Sequence, residues 1–140
     1  MNEQIPNYIS DTIYALYCGT PLTHELCPSL SFIDPLVRVN DGPPTLKMFQ
    51  RLNTLFPSTD IVKLEAIKLS EYRITFDFEV IYRRKPSQRG QRISSLLTVT
   101  GDGMHVTHIQ EDWKAPLSLG AESLAFFHPI RRIFGKLCAI

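Results

Sequence analysis

From Tyr72 to Tyr82 the chain keeps a two-residue period. Tyr72, Ile74, Phe76, Phe78, Val80 and Tyr82 are apolar or aromatic, and Arg73, Thr75, Asp77 and Glu79 stand between them. Successive side chains on a strand point to opposite faces, so the run predicts a half-buried antiparallel strand, aromatic on one side and charged on the other. Its neighbours in sequence supply its partners. From Asp60 onward, Val62, Leu64 and Ala66 alternate with Lys63, Glu65 and Ile67. Pro86 to Gly90 turns the chain into a strand Gln91 to Thr100, and Thr100, Gly101, Asp102 and Gly103 form a tight hairpin into a strand Met104 to Trp113. Four strands in a meander follow.

Two helices precede them. Ile5, Tyr8, Ile9, Ile13, Leu16 and Tyr17 recur at the spacing of one helical face, which starts near Pro6 and ends before Gly19, Thr20 and Pro21. A strand Leu30 to Ile33 stops at Asp34 and Pro35, since proline cannot donate to a sheet ladder. Asp41, Gly42, Pro43 and Pro44 open a second helix, whose stripe is Leu46, Phe49, Leu52, Leu55 and Phe56 and whose end is Pro57. The fold class is α+β with one strongly bent antiparallel sheet. Residues 1–114 read as one domain. In the extension 115–140, Ile130, Ile133, Phe134 and Leu137 share a face opposite Arg131, Arg132 and Lys136.

Composition excludes several function classes. A net charge of +1 gives no general attraction to nucleic acid or to an anionic membrane. No apolar run approaches the roughly 18 residues of a membrane span. Met1 to Tyr17 has no Lys/Arg-led apolar stretch, so no signal peptide is expected. Cys18, Cys27 and Cys138 are odd in number and lack C-x-x-C spacing, which argues against a disulfide framework or structural zinc and for a reducing cytoplasm. His105 and His108 differ in strand parity, and His24 and His128 have no partner at ligand spacing, so no metal site is expected.

The first helix, the strand Phe32-Ile33-Asp34-Pro35, the Gly-Pro start of the second helix, the Gly101-Asp102-Gly103 hairpin and the closing Glu111-Asp112-Trp113 together resemble the SnoaL-like branch of the nuclear transport factor 2-like (cystatin-like) superfamily. The resemblance covers Ile5 to about Lys114. It implies a cone in which a curved antiparallel sheet and N-terminal helices enclose an apolar cavity, with homodimerisation through the sheet common. Family members include ketosteroid isomerase, polyketide cyclases and non-enzymatic transport and scaffold proteins, so fold does not fix function. Alignment on the Asp-Pro pair puts Asp34 where the isomerase keeps its general base. Tyr14, with Tyr17 as alternate, falls where a tyrosine stabilises negative charge, and Ser95 where the isomerase carries an aspartic acid.

Each candidate has two readings. Asp34 is a base raised by desolvation, or a carboxylate accepting backbone N–H bonds at a turn. His108 is an acid/base partner if it points inward, or a surface histidine. Trp113 roofs the cavity over a flat ligand, or packs in the core or a dimer interface, and Asp112 beside it occupies a strand where cyclase-type relatives place an acid. Phe32, Phe76 and Phe78 line the cavity if the helices leave a gap and are core otherwise. Arg83, Arg84, Lys85, Arg89 and Arg92, with no acid between Val80 and Gly101, hold a phosphate or acidic partner, or form a solvated turn. The C-terminal basic face touches a membrane surface or, being only about two turns long, folds back over the cone mouth or dimer edge. The leading expectation is a cofactor-independent, homodimeric protein binding a small hydrophobic molecule, with Asp34 and Tyr14 as isomerase- or cyclase-like proton-transfer residues. The competing one is a non-enzymatic interaction module with a filled cone.

Overall fold

The computed structural model describes residues 5–22 and 26–114. The extension 115–140, with Cys138 and His128, and also His24 lie outside the described residues. Helix α1 spans Asn7–Cys18 and α2 spans Gly42–Leu55, and six strands follow in chain order around them: β1 Ser31–Ile33, β2 Arg38–Val39, β3 Ser58–Leu69, β4 Arg73–Arg83, β5 Gln91–Gly101 and β6 Val106–Trp113. They form one sheet in the order β2-β1-β6-β5-β4-β3. The expected meander is β3 to β6. The sheet is mixed rather than wholly antiparallel: β1 joins it alongside β6 in parallel, and β2, which sequence reading left out, pairs antiparallel with β1.

The aromatic face of β4 is the centre of the core. Ile74, Phe76, Phe78, Val80 and Tyr82 are all buried, and Ile9, Ile13, Leu16 and Tyr17 of α1 with Met48, Phe49 and Leu52 of α2 cover them. Burying each large side chain contributes roughly 1.5–3 kcal/mol. Tyr72 lies outside the strand and is half exposed, so the buried run begins one apolar residue later than its sequence suggests.

Bulges bend the sheet. The β3–β4 register shifts between Ile61 and Lys63 and again between Ala66 and Lys68. Val62 and Ile67 are the extra residues, and each is turned out to solvent although its apolar character suggested otherwise. Between β5 and β6 the register shifts after Thr100, leaving Thr107 as the extra residue on β6. At the preceding hairpin, Asp102 accepts the N–H groups of Met104 and His105, and Gly103 takes φ +98.

Helix α2 is anchored at its start. The Gly42 N–H donates to the Pro28 carbonyl at 2.8 Å, and Thr45 Oγ1 donates to the Leu30 carbonyl. A Cβ on Gly42 would sit 2.5 Å from the Cys27 carbonyl oxygen. Because that neighbour is backbone, Gly42→Ala is expected to lower stability by about 1–3 kcal/mol in urea denaturation. Gly101→Ala, whose Cβ meets only the movable Tyr8 ring, should cost less.

Candidate functional site: two buried carboxyl groups in one apolar pocket

The pocket lies between the sheet and the two helices. Met48, Phe49 and Leu52 of α2 line it together with Phe32, Tyr82, Ile93 and Trp113 of the sheet. Into this apolar lining come Asp34, Glu111 and Tyr17. The cavity volume is about 20 Å³, room for roughly one water.

Asp34 is delivered by the β1–β2 turn. Its Oδ1 accepts the N–H groups of Leu36 and Val37, each at 2.8 Å, and its own N–H donates to the Val37 carbonyl. Among the described residues nothing bonds to Oδ2. Both sequence readings therefore describe one geometry: a turn-forming carboxylate that also lines the pocket. Desolvation by burial raises its pKa from 3.8 to about 6, against the lowering effect of the two backbone N–H donors.

Glu111 is the residue sequence reasoning missed. It is buried, and burial raises its pKa from 4.5 to about 7, with the charge of Asp34 pushing the same way. The Tyr17 hydroxyl donates to Oε1 in a short bond, and Trp113 Nε1 donates to Oε2 at 3.2 Å. Both bonds favour the ionised form without offsetting desolvation. Ser95 Oγ, fully buried, makes no well-formed hydrogen bond among the described residues. It still lies near enough to Glu111 to favour its charge. The chemistry available is proton exchange between two carboxyl groups, with tyrosine and indole donors aimed at one of them.

The remaining expected site residues divide sharply. Phe32, Ser95 and Trp113 stand at or beside the pocket. Phe76 and Phe78 are core, and Phe78 packs edge-on against Tyr17 with ring centroids 4.9 Å apart. Tyr14 is 39% exposed and outside the lining, so the pocket tyrosine is the alternate, Tyr17. The apolar stripe of α1 already left Tyr14 out. His108 faces away from the cavity and its Nδ1 meets Ser31 Oγ at 2.6 Å. Asp112 is exposed and hydrogen-bonded by Gln110. The Thr107 bulge reverses parity along β6, so Ile109, Glu111 and Trp113 point inward in place of His108 and Asp112. No group of three or more potential metal ligands occurs among the described residues, and no helix among them is long and apolar enough to cross a membrane.

No family model matches the sequence, and no curated protein matches it. Solved structures do match the fold. An NTF2-like protein from Anabaena variabilis superposes with a TM-score of 0.63 at 11% identity, over 79% of this chain and 86% of its own. A candidate SnoaL-like polyketide cyclase from Jannaschia sp. gives 0.58 at 11% identity over 94% and 98%. A candidate isomerase of the SnoaL-like family from Agrobacterium tumefaciens gives 0.56 at 10% identity over 77% and 97%. The chain thus has the α+β fold of the NTF2-like and SnoaL-like proteins, as its sequence suggested.

The raised carboxyl groups set a pH dependence. Between pH 4.5 and about 7 the unfolded chain has released the Glu111 proton that the folded chain retains. Stability therefore falls as pH rises through that window and levels off above it, a loss on the order of 3 kcal/mol. Urea denaturation between pH 4.5 and 8.5 should show this decline, and Glu111→Gln should flatten it above about pH 6, leaving the part that Asp34 sets below. Tyr17→Phe removes a donor to the carboxylate and should move the Glu111 titration, followed by carbon-13 NMR, to still higher pH.

Proposed function

We propose that this chain binds a small, mostly apolar molecule in the pocket and moves a proton on it, in the manner of a cofactor-independent isomerase or cyclase. The observation that carries this reading is the convergence of Asp34 and Glu111 on one apolar cavity, both poised near neutral pH. A general base works best when its pKa lies near the working pH. Burying two carboxyl groups costs stability beyond what their structural bonds return, and such costs gather at functional sites. In this scheme Asp34, with Oδ2 uncommitted, takes a proton from the bound molecule. Tyr17, Trp113 and neutral Glu111 form the polar end that steadies the charge left behind. Ligand entry requires Met48, Leu52 or Trp113 to yield, because the resting cavity holds about one water. A homodimer through the sheet and a cytoplasmic setting belong to the same proposal.

The small cavity volume favours a second reading: a filled cone serving as an interaction module. Trp113, the single tryptophan, separates the two because its emission reports on the pocket. Small cyclic ketones with acidic α-hydrogens in deuterium oxide should give a saturable change in emission and enzyme-dependent deuterium uptake, seen by NMR. Asp34→Asn should slow that uptake by about 10²–10⁴-fold. Emission that no member of the panel alters would leave the second reading standing.

A further inference from the structure

A second, larger cleft is on the surface, where α2 ends and the β4–β5 turn folds back. It is open and about 350 Å³ in volume, within the ordinary range for small-molecule sites. Phe56 and Tyr82, core rings only 2% and 5% exposed with centroids 5.6 Å apart, form its apolar wall, and Arg83, Arg84 and Arg89 stand around it. Tyr82 also lines the interior pocket, so one ring separates the two spaces.

Charge is unbalanced here. The turn region carries five cations, Arg83, Arg84, Lys85, Arg89 and Arg92, and no acid. Neighbouring strands supply two partners: Asp60 pairs with Arg83 and Glu79 with Arg92. Three cations are left, and Arg84, Lys85 and Arg89 have no ion pair or hydrogen bond to another side chain among the described residues. Of these three, Arg84 and Arg89 line the cleft and Lys85 does not. The turn is also held close to the sheet. A Cβ on Gly90 would overlap the Ile81 side chain and approach the Tyr82 carbonyl to 2.8 Å, so only glycine lets the Arg89 segment lie this near β4.

We propose that this cleft is a binding site for a small aromatic anion, a carboxylate or phosphate carried on a planar apolar body. Arg84 and Arg89 present guanidinium forks to the anion, a geometry that suits both carboxylate and phosphate oxygens. The Phe56–Tyr82 wall packs the apolar body, and the arginine planes add cation–π attraction. A general electrostatic surface would use Lys85 as much as either arginine. A built site uses Arg84 and Arg89, the lining arginines left without an ion pair among the described residues. The site stands independently of proton transfer in the interior, because none of its charged residues belongs to that pocket.

The test is a nitrogen-15 NMR titration of the full chain with phenyl phosphate, benzoate and inorganic phosphate at about 0.1 M salt, where surface charge beyond roughly 10 Å is screened. Phenyl phosphate or benzoate should give saturable shifts at the amides of Tyr82, Arg84, Arg89 and Gln91, and the tighter of the two identifies the anion. Inorganic phosphate, lacking the apolar body, should bind about tenfold more weakly. The double variant Arg84→Gln/Arg89→Gln should weaken binding by about tenfold or more, while Lys85→Gln and Asp34→Asn leave it within about twofold. The proposal is overturned if no aromatic anion saturates, or if Lys85→Gln weakens binding as much as the arginine changes. Sedimentation with anionic phosphatidylserine vesicles in the absence of a saturable small-anion response would equally overturn it, in favour of a membrane surface.

Discussion

The hydrogen bond from the Tyr17 hydroxyl to the Glu111 carboxyl joins the first helix to the last strand through the middle of the core. Its members are 94 residues apart in sequence, and both are buried. Neither could be buried alone without leaving a polar group unpaired, which costs more than a hydrogen bond gains. The pair thus fixes where α1 lies on the sheet, and the rings around it lock that choice. Phe49 and Phe78 both meet Tyr17 edge-on, and Phe32 meets Phe49 in the same way. The tyrosine ring belongs to the core and its hydroxyl to the pocket, so packing and chemistry share one side chain.

Curvature makes the pocket. Bulges in β3 and β6 bend those strands, and the pocket lies in the space left between the sheet and the two helices. Asp34 and Glu111 then approach from adjacent strands, since β1 runs beside β6. Burial raises the cost of charging both, and the charge of Asp34 raises it further for Glu111. The result is a polar site that opposes folding near neutral pH within a core that favours it.

The outer face of the sheet follows different rules. Asp77 pairs with Lys63 and with Lys114, Asp60 with Arg83 and Glu79 with Arg92, all in contact with solvent. Such pairs contribute little to stability one by one, but they consume nearly every acid near the β4–β5 turn. What remains there is unmatched positive charge beside an aromatic wall, and location rather than net charge makes it distinctive.

Much of the fold was legible in the sequence because it rests on local periodicity. The alternation of β4, the stripes of α1 and α2, the prolines and the Asp102 hairpin each specify an element within a short window, and elements with those faces can pack in few ways. Asp34 was legible too, since an Asp-Pro pair ending an apolar strand places its own carboxylate. Strand β2 escaped because two residues carry no period. Glu111 escaped because one extra residue, Thr107, inverts every side chain after it, and whether a bulge forms depends on the pairing of β6 with β5. The sequence by itself determined the two helices and the long strands, and the apolar faces of α1, α2 and β4. Only the tertiary structure decided which acid looks inward, because strand parity beyond a bulge is a property of two paired strands and not of either one.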